Sequence, residues 1–261
     1  MNRRKEDALK RGVITASTGN HAQSIAYAGS LFGVKVTIVM PHGVPQLKMD
    51  AVKDLGAEIV TFGSYYDEAR EYAEKTAADN GSLYVHGSNE PLLIEGVATM
   101  HLEAFEELPD VDVVINPIGG GSGASSACIV YKALNPKVRV IGVQAEGAPA
   151  VYQSWKSGEI KHTNGINTDA EGLATGRGYE LPLAIFRNRL DDLVLVSDEE
   201  MKKAIRSLFK ATGQVAELSG AASTAAAFKI AEQLRGKNVV ILVSGSNIQP
   251  KKLADILSAE A

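Results

Sequence analysis

The chain has 261 residues, and its 27 Lys and Arg against 31 Asp and Glu give a formal net charge of −4 at pH 7. This length suggests one large domain or two smaller ones. With 45% hydrophobic and 22% charged residues, the composition is that of an ordinary soluble protein. Nucleic acid is not an expected partner, because the sequence carries no strongly basic segment.

Membrane insertion and disulfide bonding are also not expected. No apolar stretch approaches the roughly 18 residues that span a bilayer, and no signal peptide is recognised. The single cysteine, Cys128, excludes an intramolecular disulfide framework and a Cys-rich metal site. It lies in a run of Ala, Ile and Val, which predicts a small core residue and not a reactive thiol. A reducing, cytoplasmic location fits these features.

The first third of the sequence alternates short apolar runs with stretches of helical periodicity. Residues 1–11 are charged and read as the tail of a helix. The pattern then predicts strands at 13–16, 34–40, 58–62 and 83–86. Between them it predicts three helices, of which the first ends at Phe32 and the other two cover 44–55 and 65–79. The strands are apolar on both faces, which indicates parallel sheet covered by helices.

The same alternation resumes after Pro91. The pattern predicts strands at 111–118, 138–144, 194–196 and 238–243, and helices at 93–108, 124–134, 197–212 and 221–234. The third helix opens on Ser197 and Glu200, which fit a capping box. Residues 149–189 show no regular pattern.

These elements predict an α/β protein of two lobes, each a mainly parallel twisted sheet covered by helices. We expect a small domain at residues 12–89. Residues 1–11 together with 90–261 are expected to form a large cofactor-binding domain.

Three predicted strands end in loops rich in glycine, hydroxyl residues and Asn, at residues 17–21, 119–123 and 244–247. Loops that follow parallel strands meet at the carboxyl edge of a sheet, where open α/β folds bind ligands. Any one of them is also explained as a helix cap or tight turn. Three such loops in one chain favour a site for a polar ligand.

The second loop, residues 119–123, holds four glycines and a serine directly before a helix. Its N–H groups can approach a ligand closely, and the helix dipole favours an anion such as phosphate. It is not a Walker loop, because no Gly-Lys-Ser/Thr follows. The spacing of Gly119, Gly121 and Ala124 also fits a relaxed dinucleotide fingerprint with Glu146 as ribose partner, so a dinucleotide-binding oxidoreductase stays an alternative.

Several blocks of the sequence resemble the fold-type II pyridoxal-phosphate enzymes, which are tryptophan synthase β-like in fold. The blocks lie at 12–23, 38–41, 55–58, 86–91, 119–123, 171–174 and 244–247, in the family's order. The resemblance is strongest to serine/threonine dehydratases and serine racemases. It implies a lyase of amino-acid metabolism that converts L-threonine or L-serine to a 2-oxo acid and ammonia by β-elimination.

The resemblance also implies roles for individual residues. Cofactor contacts would come from Asn20, Gly119, Gly120, Gly121, Ser122, Gly123, Gly172 and Ser244. Ser17, Thr18, Gly19 and His21 would surround the substrate carboxylate. Thr18 stands where serine racemases carry a second base, which makes it a weak catalytic candidate and favours elimination over racemisation. Relatives are commonly dimers or larger, so the resemblance allows a homodimer.

This sequence departs from the family pattern in one decisive respect. The family's Schiff-base lysine lies in a Ser-Phe-Lys-x-Arg-Gly-Ala segment, roughly 25–30 residues before the loop that here starts at Ser17. Only sixteen residues precede Ser17, and neither Lys5 nor Lys10 has that context. We therefore expect the catalytic lysine to be absent and activity to be impaired. A non-catalytic fragment or decoy that binds phosphate or the cofactor is the alternative.

A divalent cation is not expected. Serine racemases hold one with acidic side chains at positions that correspond to Gln144, Ala148 and Ala150, and Glu146 alone is too little for a hard cation. His86 and His101 are expected to be packing or surface residues.

Overall fold

A computed structural model describes residues 4–64, 66–163 and 165–259. The chain divides into two units, Met1–Gly87 and Ser88–Ala261. In the described residues, each unit contains a four-stranded sheet whose paired strands all run parallel. Helices cover both faces of each sheet, so the predicted fold class is confirmed.

The first unit alternates helices and strands along its whole length. Its helices are α1 (Lys5–Arg11), α2 (Asn20–Phe32), α3 (Gln46–Lys53) and α4 (Tyr66–Asn80). Its strands are β1 (Val13–Ala16), β2 (Val36–Met40), β3 (Glu58–Thr61) and β4 (Leu83–Tyr84), in the sheet order β3-β2-β1-β4. Tyr65, the predicted first residue of the fourth helix, lies outside the described residues.

Alternate residues of β1 supply the two cores of this unit. Val13 packs in one cluster with Ala22 and Ala26 of α2, and Ile14 packs in the other with Ala69 and Ala73 of α4. Small alanines let both helices approach the sheet closely.

The N-terminal helix packs with the first unit, whereas the sequence pattern predicts residues 1–11 to join the large domain. Ala8 is buried in the same core cluster as Val13, and the Gly12 N–H donates to its carbonyl at 2.8 Å. A single buried alanine in a short charged segment is too weak a pattern to predict which unit the helix packs against.

The second unit has the same alternation. Its helices are α5 (Pro91–Glu107), α6 (Ser122–Leu134), α7 (Ala150–Ser157), α8 (Glu180–Arg189), α9 (Asp198–Thr212), α10 (Leu218–Lys229), α11 (Ala231–Leu234) and α12 (Pro250–Ser258). Its strands are β5 (Val113–Pro117), β6 (Arg139–Ala145), β7 (Asp192–Val196) and β8 (Val239–Ile241), in the order β7-β6-β5-β8. No helix in the described ranges is long and apolar enough to cross a membrane.

Helix α10 is the central packing element of this unit. All residues from Leu218 to Ala227 are buried, and α10 shares a core with Val113 and Ile115 of β5. Val114, on the other face of β5, packs with α6. The central strand β5 is therefore buried on both faces, whereas the edge strand β8 is half-buried to exposed.

Three helices of this unit were not predicted from the sequence: α7, α8 and α12. Prolines mark all three, because α7 has Pro149 as its N-cap, α8 carries Pro182 in its first turn and α12 begins at Pro250. The prediction of one helix over 221–234 is also wrong. The chain leaves helical geometry at Ile230, and the turn there lets both Ile230 and Leu234 pack against the α10 core.

Each sheet reverses its winding direction at one point. Successive strands are added on one side of β1, and β4 then returns to its other side; β5 and β8 repeat this arrangement in the second unit. Open α/β sheets bind ligands where the winding reverses. A ligand site is therefore expected in the loops that follow β1 and β4, or in those that follow β5 and β8.

The predicted capping box is present at the start of α9. Ser197 Oγ accepts from the Glu200 N–H at 3.2 Å, and the Glu200 carboxylate accepts from the Ser197 N–H at 2.7 Å. We expect Ser197→Ala to lower the free energy of unfolding by about 1 kcal/mol, because the Glu200 N–H loses its side-chain acceptor. Urea unfolding followed by circular dichroism measures this loss. Ser207→Ala, in the middle of the same helix, is the control and is expected to change stability by less than about 0.5 kcal/mol.

Candidate functional site

The glycine loop between β5 and α6 is packed so closely that side chains are excluded. A Cβ atom on Gly119 would overlap the Gly172 carbonyl oxygen, and one on Gly120 would overlap Ser88 Oγ. One on Gly121 would lie 2.9 Å from Pro182 Cβ, and the φ of Gly121 is +100°. The glycines are thus required by their neighbours behind the loop as well as by any ligand in front of it.

The N–H groups of this loop are available to a ligand. Within the part of the chain that the structure describes, those of residues 119–124 have no acceptor, and the first bonded amide after them is that of Ser125, which donates to Gly121 O at 2.9 Å. The last of these groups form the N-terminus of α6, a helix of 13 residues. Successive N–H groups at a helix start favour an anion.

Gly172 supports the glycine loop from behind. Its N–H donates to Ser219 Oγ of α10 at 2.8 Å, and its carbonyl lies against Gly119. The structure therefore brings Gly172 to the loop, as the resemblance implied, but as a backing residue. Ser88 and Ser219 were missed from the sequence, because nothing in their local pattern shows that they touch these glycines.

The loop at 244–247 leaves the strand next to β5. The Leu242 N–H donates to Ile115 O at 3.1 Å, which holds this segment beside β5 up to the point where the loop begins. Gly245 O accepts from the Glu217 N–H at 3.0 Å at the start of α10. Ser244 itself is exposed. The two loops thus follow the two strands at which the sheet reverses.

In the first unit, Ser17 stabilises the start of α2. Its Oγ accepts from the Gly19 N–H at 3.3 Å and from the Ala22 N–H at 3.2 Å. This is the helix-capping role that the sequence allowed as an alternative to ligand binding. Thr18 is half-buried and Asn20 is exposed at the same turn.

The His21 side chain is engaged within its own unit. Its Nε2 lies 3.1 Å from Thr15 Oγ1, and that hydroxyl donates to Val85 O at 2.6 Å. Burial lowers the pKa of His21 to about 4; the Val85 carbonyl opposes this shift and nearby His86 adds to it. The ring is therefore neutral at pH 7, so any anion binding at this turn depends on backbone N–H groups.

Glu146, the candidate ribose partner of a dinucleotide, has another role. Its Oε1 lies 3.2 Å from Lys229 Nζ, and the same ammonium lies 3.1 Å from Glu200 Oε1. The ion pair leaves Glu146 poorly placed to recognise ribose hydroxyls. In the described residues no group of three or more His, Cys, Asp or Glu side chains could hold a metal ion.

Three further residues singled out from the sequence have structural roles. Gln144 is buried, and its Oε1 accepts from the Tyr152 N–H at 2.9 Å, close to the start of α7. Cys128 is buried in α6, and burial raises the pKa of its thiol to about 12, which makes it unreactive. His101 is fully enclosed behind the glycine loop, in agreement with a packing position.

Comparison with known proteins identifies the family. The description "Pyridoxal-phosphate dependent enzyme" matches residues 1–245, and the chain belongs to this family. It is 38% identical over 253 residues to an L-threonine ammonia-lyase of Thermotoga maritima, covering 97% of this chain and 63% of that protein. The family is the one that the sequence motifs resemble.

Solved structures agree with this assignment. Threonine deaminase isoform 2 from Solanum lycopersicum matches with a TM-score of 0.92 and 32% identity, covering 98% of this chain and 75% of that one. A maize serine racemase matches with a TM-score of 0.89 and 30% identity, covering 96% and 77%. The chain spans 63% and 64% of the lengths of the two threonine ammonia-lyases from Thermotoga maritima and Geobacter sulfurreducens.

Replacing Gly121 tests the packing of the loop. Gly121→Ala combines a left-handed backbone with contacts to Pro182 and Phe186, and we expect it to lower the free energy of unfolding by about 2–4 kcal/mol. Gly158→Ala is the matched control, because its φ is +73° with nothing within 4 Å. It is expected to cost about 1 kcal/mol. Equal losses for the two variants in urea unfolding would contradict the close packing.

His21 gives the first unit a pH dependence. Because its pKa falls to about 4 on folding, the unfolded chain binds more protons between pH 6.5 and 4. We expect stability to fall as the pH is lowered through this window, with a slope of up to about 1.4 kcal/mol per pH unit from this group. Urea unfolding at several pH values measures the slope, and His21→Gln should reduce it. An unchanged slope in that variant would contradict the assignment.

Proposed function

We propose that this chain forms the cofactor- and substrate-binding part of an ammonia-lyase that converts L-threonine or L-serine to a 2-oxo acid and ammonia. The observation that carries the proposal is the glycine loop at 119–123, whose free N–H groups start α6. The sequence similarity to L-threonine ammonia-lyases and to threonine deaminase supports the choice of reaction.

The loop fits the phosphate of pyridoxal phosphate. A phosphate needs several donors that converge without side chains between them, and residues 119–124 supply backbone N–H groups and little else. Ser244, at the neighbouring strand end, would supply a neutral hydroxyl to the ring nitrogen, and Asn20 would contact the 3′ oxygen. When bound, the cofactor supplies an electron-withdrawing ring that stabilises negative charge on the substrate's α-carbon.

The substrate carboxylate is assigned to the turn at the start of α2. In the described residues the N–H groups of Thr18 and His21 have no acceptor, and they lie at the N-terminus of a 13-residue helix. Ser17 fixes this turn through its two accepted hydrogen bonds. Thr18 adds a hydroxyl that orients the substrate. The neutral His21 ring gives the turn its shape and contributes no charge.

Covalent attachment of the cofactor requires a lysine in a suitable position. No lysine of the 261 residues stands in a Ser-Phe-Lys-x-Arg-Gly-Ala segment. We propose that these residues bind the cofactor without a covalent bond and that efficient turnover requires a lysine from elsewhere. A non-catalytic cofactor-binding role is the second candidate, and the unpaired N–H groups of the glycine loop fit it equally well.

The binding partners, the cellular location and the oligomeric state are further parts of the proposal. The proposed partners are a small amino acid and the cofactor, with neither nucleic acid nor membrane involved. A cytoplasmic location fits the single buried cysteine and the proposed substrate. A homodimer is proposed from the family resemblance alone.

A ligand titration tests the proposal. We expect pyridoxal phosphate to bind at least tenfold more tightly than pyridoxal, because the loop recognises the phosphate. Borohydride treatment should leave no lysine labelled with the cofactor. Gly158→Ala should bind both ligands as the unaltered chain does, since a Cβ on Gly158 would have nothing within 4 Å.

Turnover is measured separately, as 2-oxo acid formation from L-threonine and L-serine. We expect a rate far below that of an ordinary enzyme. An ordinary rate, or a lysine labelled by borohydride, would contradict the proposed lack of a lysine. Tight NAD binding without pyridoxal-phosphate binding would overturn the proposed function itself.

A further inference from the structure

Two large polar side chains are buried behind the glycine loop, next to the start of α6. His101 of α5 and Asn116 of β5 are 1% and 0% exposed. The ring of His101 lies 5.7 Å from that of Tyr131, which belongs to the apolar cluster that also holds Ile94, Ala124 and Ala127. Burying a polar group is unfavourable unless it is hydrogen-bonded, so two large ones at this position require partners.

Both residues converge on the carbonyl of Gly123. His101 Nε2 lies 3.1 Å from Gly123 O, and the amide of Asn116 lies 3.2 Å from the same nitrogen. Because a carbonyl only accepts, Nε2 carries the proton and donates it to Gly123. Burial lowers the pKa of His101, with the Gly123 carbonyl opposing the shift, so the ring is neutral.

Asn116 also lies against Gly123, on the side where a side chain would begin. Its Oδ1 would lie 3.0 Å from a Cβ on Gly123, and this oxygen has no hydrogen-bond partner in the described residues. His101 therefore contacts the carbonyl of Gly123, and Asn116 occupies the space that a side chain at position 123 would need.

The direction of this carbonyl decides where the next N–H points. The peptide bond is planar and trans, so the C=O of Gly123 and the N–H of Ala124 point in opposite directions. A second bond acts on the preceding peptide, because Ser126 Oγ donates to Ser122 O at 2.6 Å and lies 3.1 Å from Gly123 O. The two peptides held in this way carry the N–H groups of Gly123 and Ala124, which belong to the unpaired set.

We propose that His101 is a positioning residue for anion binding: through its bond to the Gly123 carbonyl it fixes the first turn of α6, and so sets the direction of the half-buried N–H groups of Ser122 and Gly123 toward the phosphate. Asn116 Nδ2 lies 3.2 Å from the protonated Nε2 and is itself a donor, so Asn116 packs beside the imidazole without a hydrogen bond to it. This inference rests on the proposed function for the identity of the anion. The anchoring of the loop itself does not depend on that identity.

The first test measures the loop without any ligand. The Ser125 amide, which donates to Gly121 O, reports whether the loop keeps its shape. We expect His101→Leu to speed its hydrogen exchange, followed by NMR, at least tenfold. The Gly213 amide, which closes α9 on Phe209 O, should exchange at an unchanged rate. Unchanged exchange at Ser125 would overturn the proposal, whether or not the chain binds pyridoxal phosphate.

The second test compares dissociation constants for pyridoxal phosphate and pyridoxal. We expect His101→Leu to weaken pyridoxal-phosphate binding at least tenfold and to leave pyridoxal binding unchanged. Asn116→Val should fall between His101→Leu and the unaltered chain. His101→Gln keeps a donor and should lie within about threefold of the unaltered chain, since a retained hydrogen bond keeps most of the interaction free energy.

A matched control separates positioning from packing. Tyr131 is fully buried, its hydroxyl has no partner in the described residues, and its ring centroid lies 5.7 Å from that of His101. Tyr131→Phe therefore alters the same core without touching Gly123, and it should leave both ligand affinities unchanged. Equal weakening for pyridoxal and pyridoxal phosphate in His101→Leu would overturn the proposal in favour of a general packing defect. Failure of the unaltered chain to bind pyridoxal phosphate would instead refute the proposed function.

Discussion

The second unit depends on how closely other parts of the chain approach the backbone at residues 119–123. Gly172, Ser88 and Pro182 each occupy space that a side chain on one of these glycines would need. The loop is therefore shaped from behind by residues that are distant in sequence, and its N–H groups are left without acceptors in the described residues. Such preorganisation means that little ordering remains to be done when an anion binds.

The same winding pattern occurs in both units. In each, the first strand of the sheet lies next to the last, and a glycine-containing turn leads from the first strand into a helix of 13 residues. The two turns differ in what supports them. Ser17 caps its helix with its own hydroxyl, whereas the loop at Gly121 has no side-chain cap and depends on tertiary contacts. The first turn is a local structure, and the second is formed only when the whole unit folds.

This difference explains what could be predicted from the sequence. The strands at 13–16 and 113–117 are continuous apolar runs, and Ser197 with Glu200 is a complete local signal, so both kinds of feature were found. The roles of Ser88, Ser219 and His101 depend on contacts between segments, and no local pattern shows them. Helices α7 and α12 were missed although Pro149 and Pro250 mark their starts, because their apolar residues are too few to show a period. The residue assignments in the site came from resemblance, and the geometry explains why glycine is needed at those positions.

The chemistry of Cys128 has a practical consequence. It is the only cysteine of the sequence, it lies buried in α6, and its thiol stays protonated far above neutral pH. The native chain should therefore resist alkylating and oxidising reagents without any substitution. A cysteine introduced at an exposed position, such as that of Glu159, would be the single site that takes up a fluorophore or spin label. For labelling experiments, the folded protein therefore behaves as if it had no reactive cysteine.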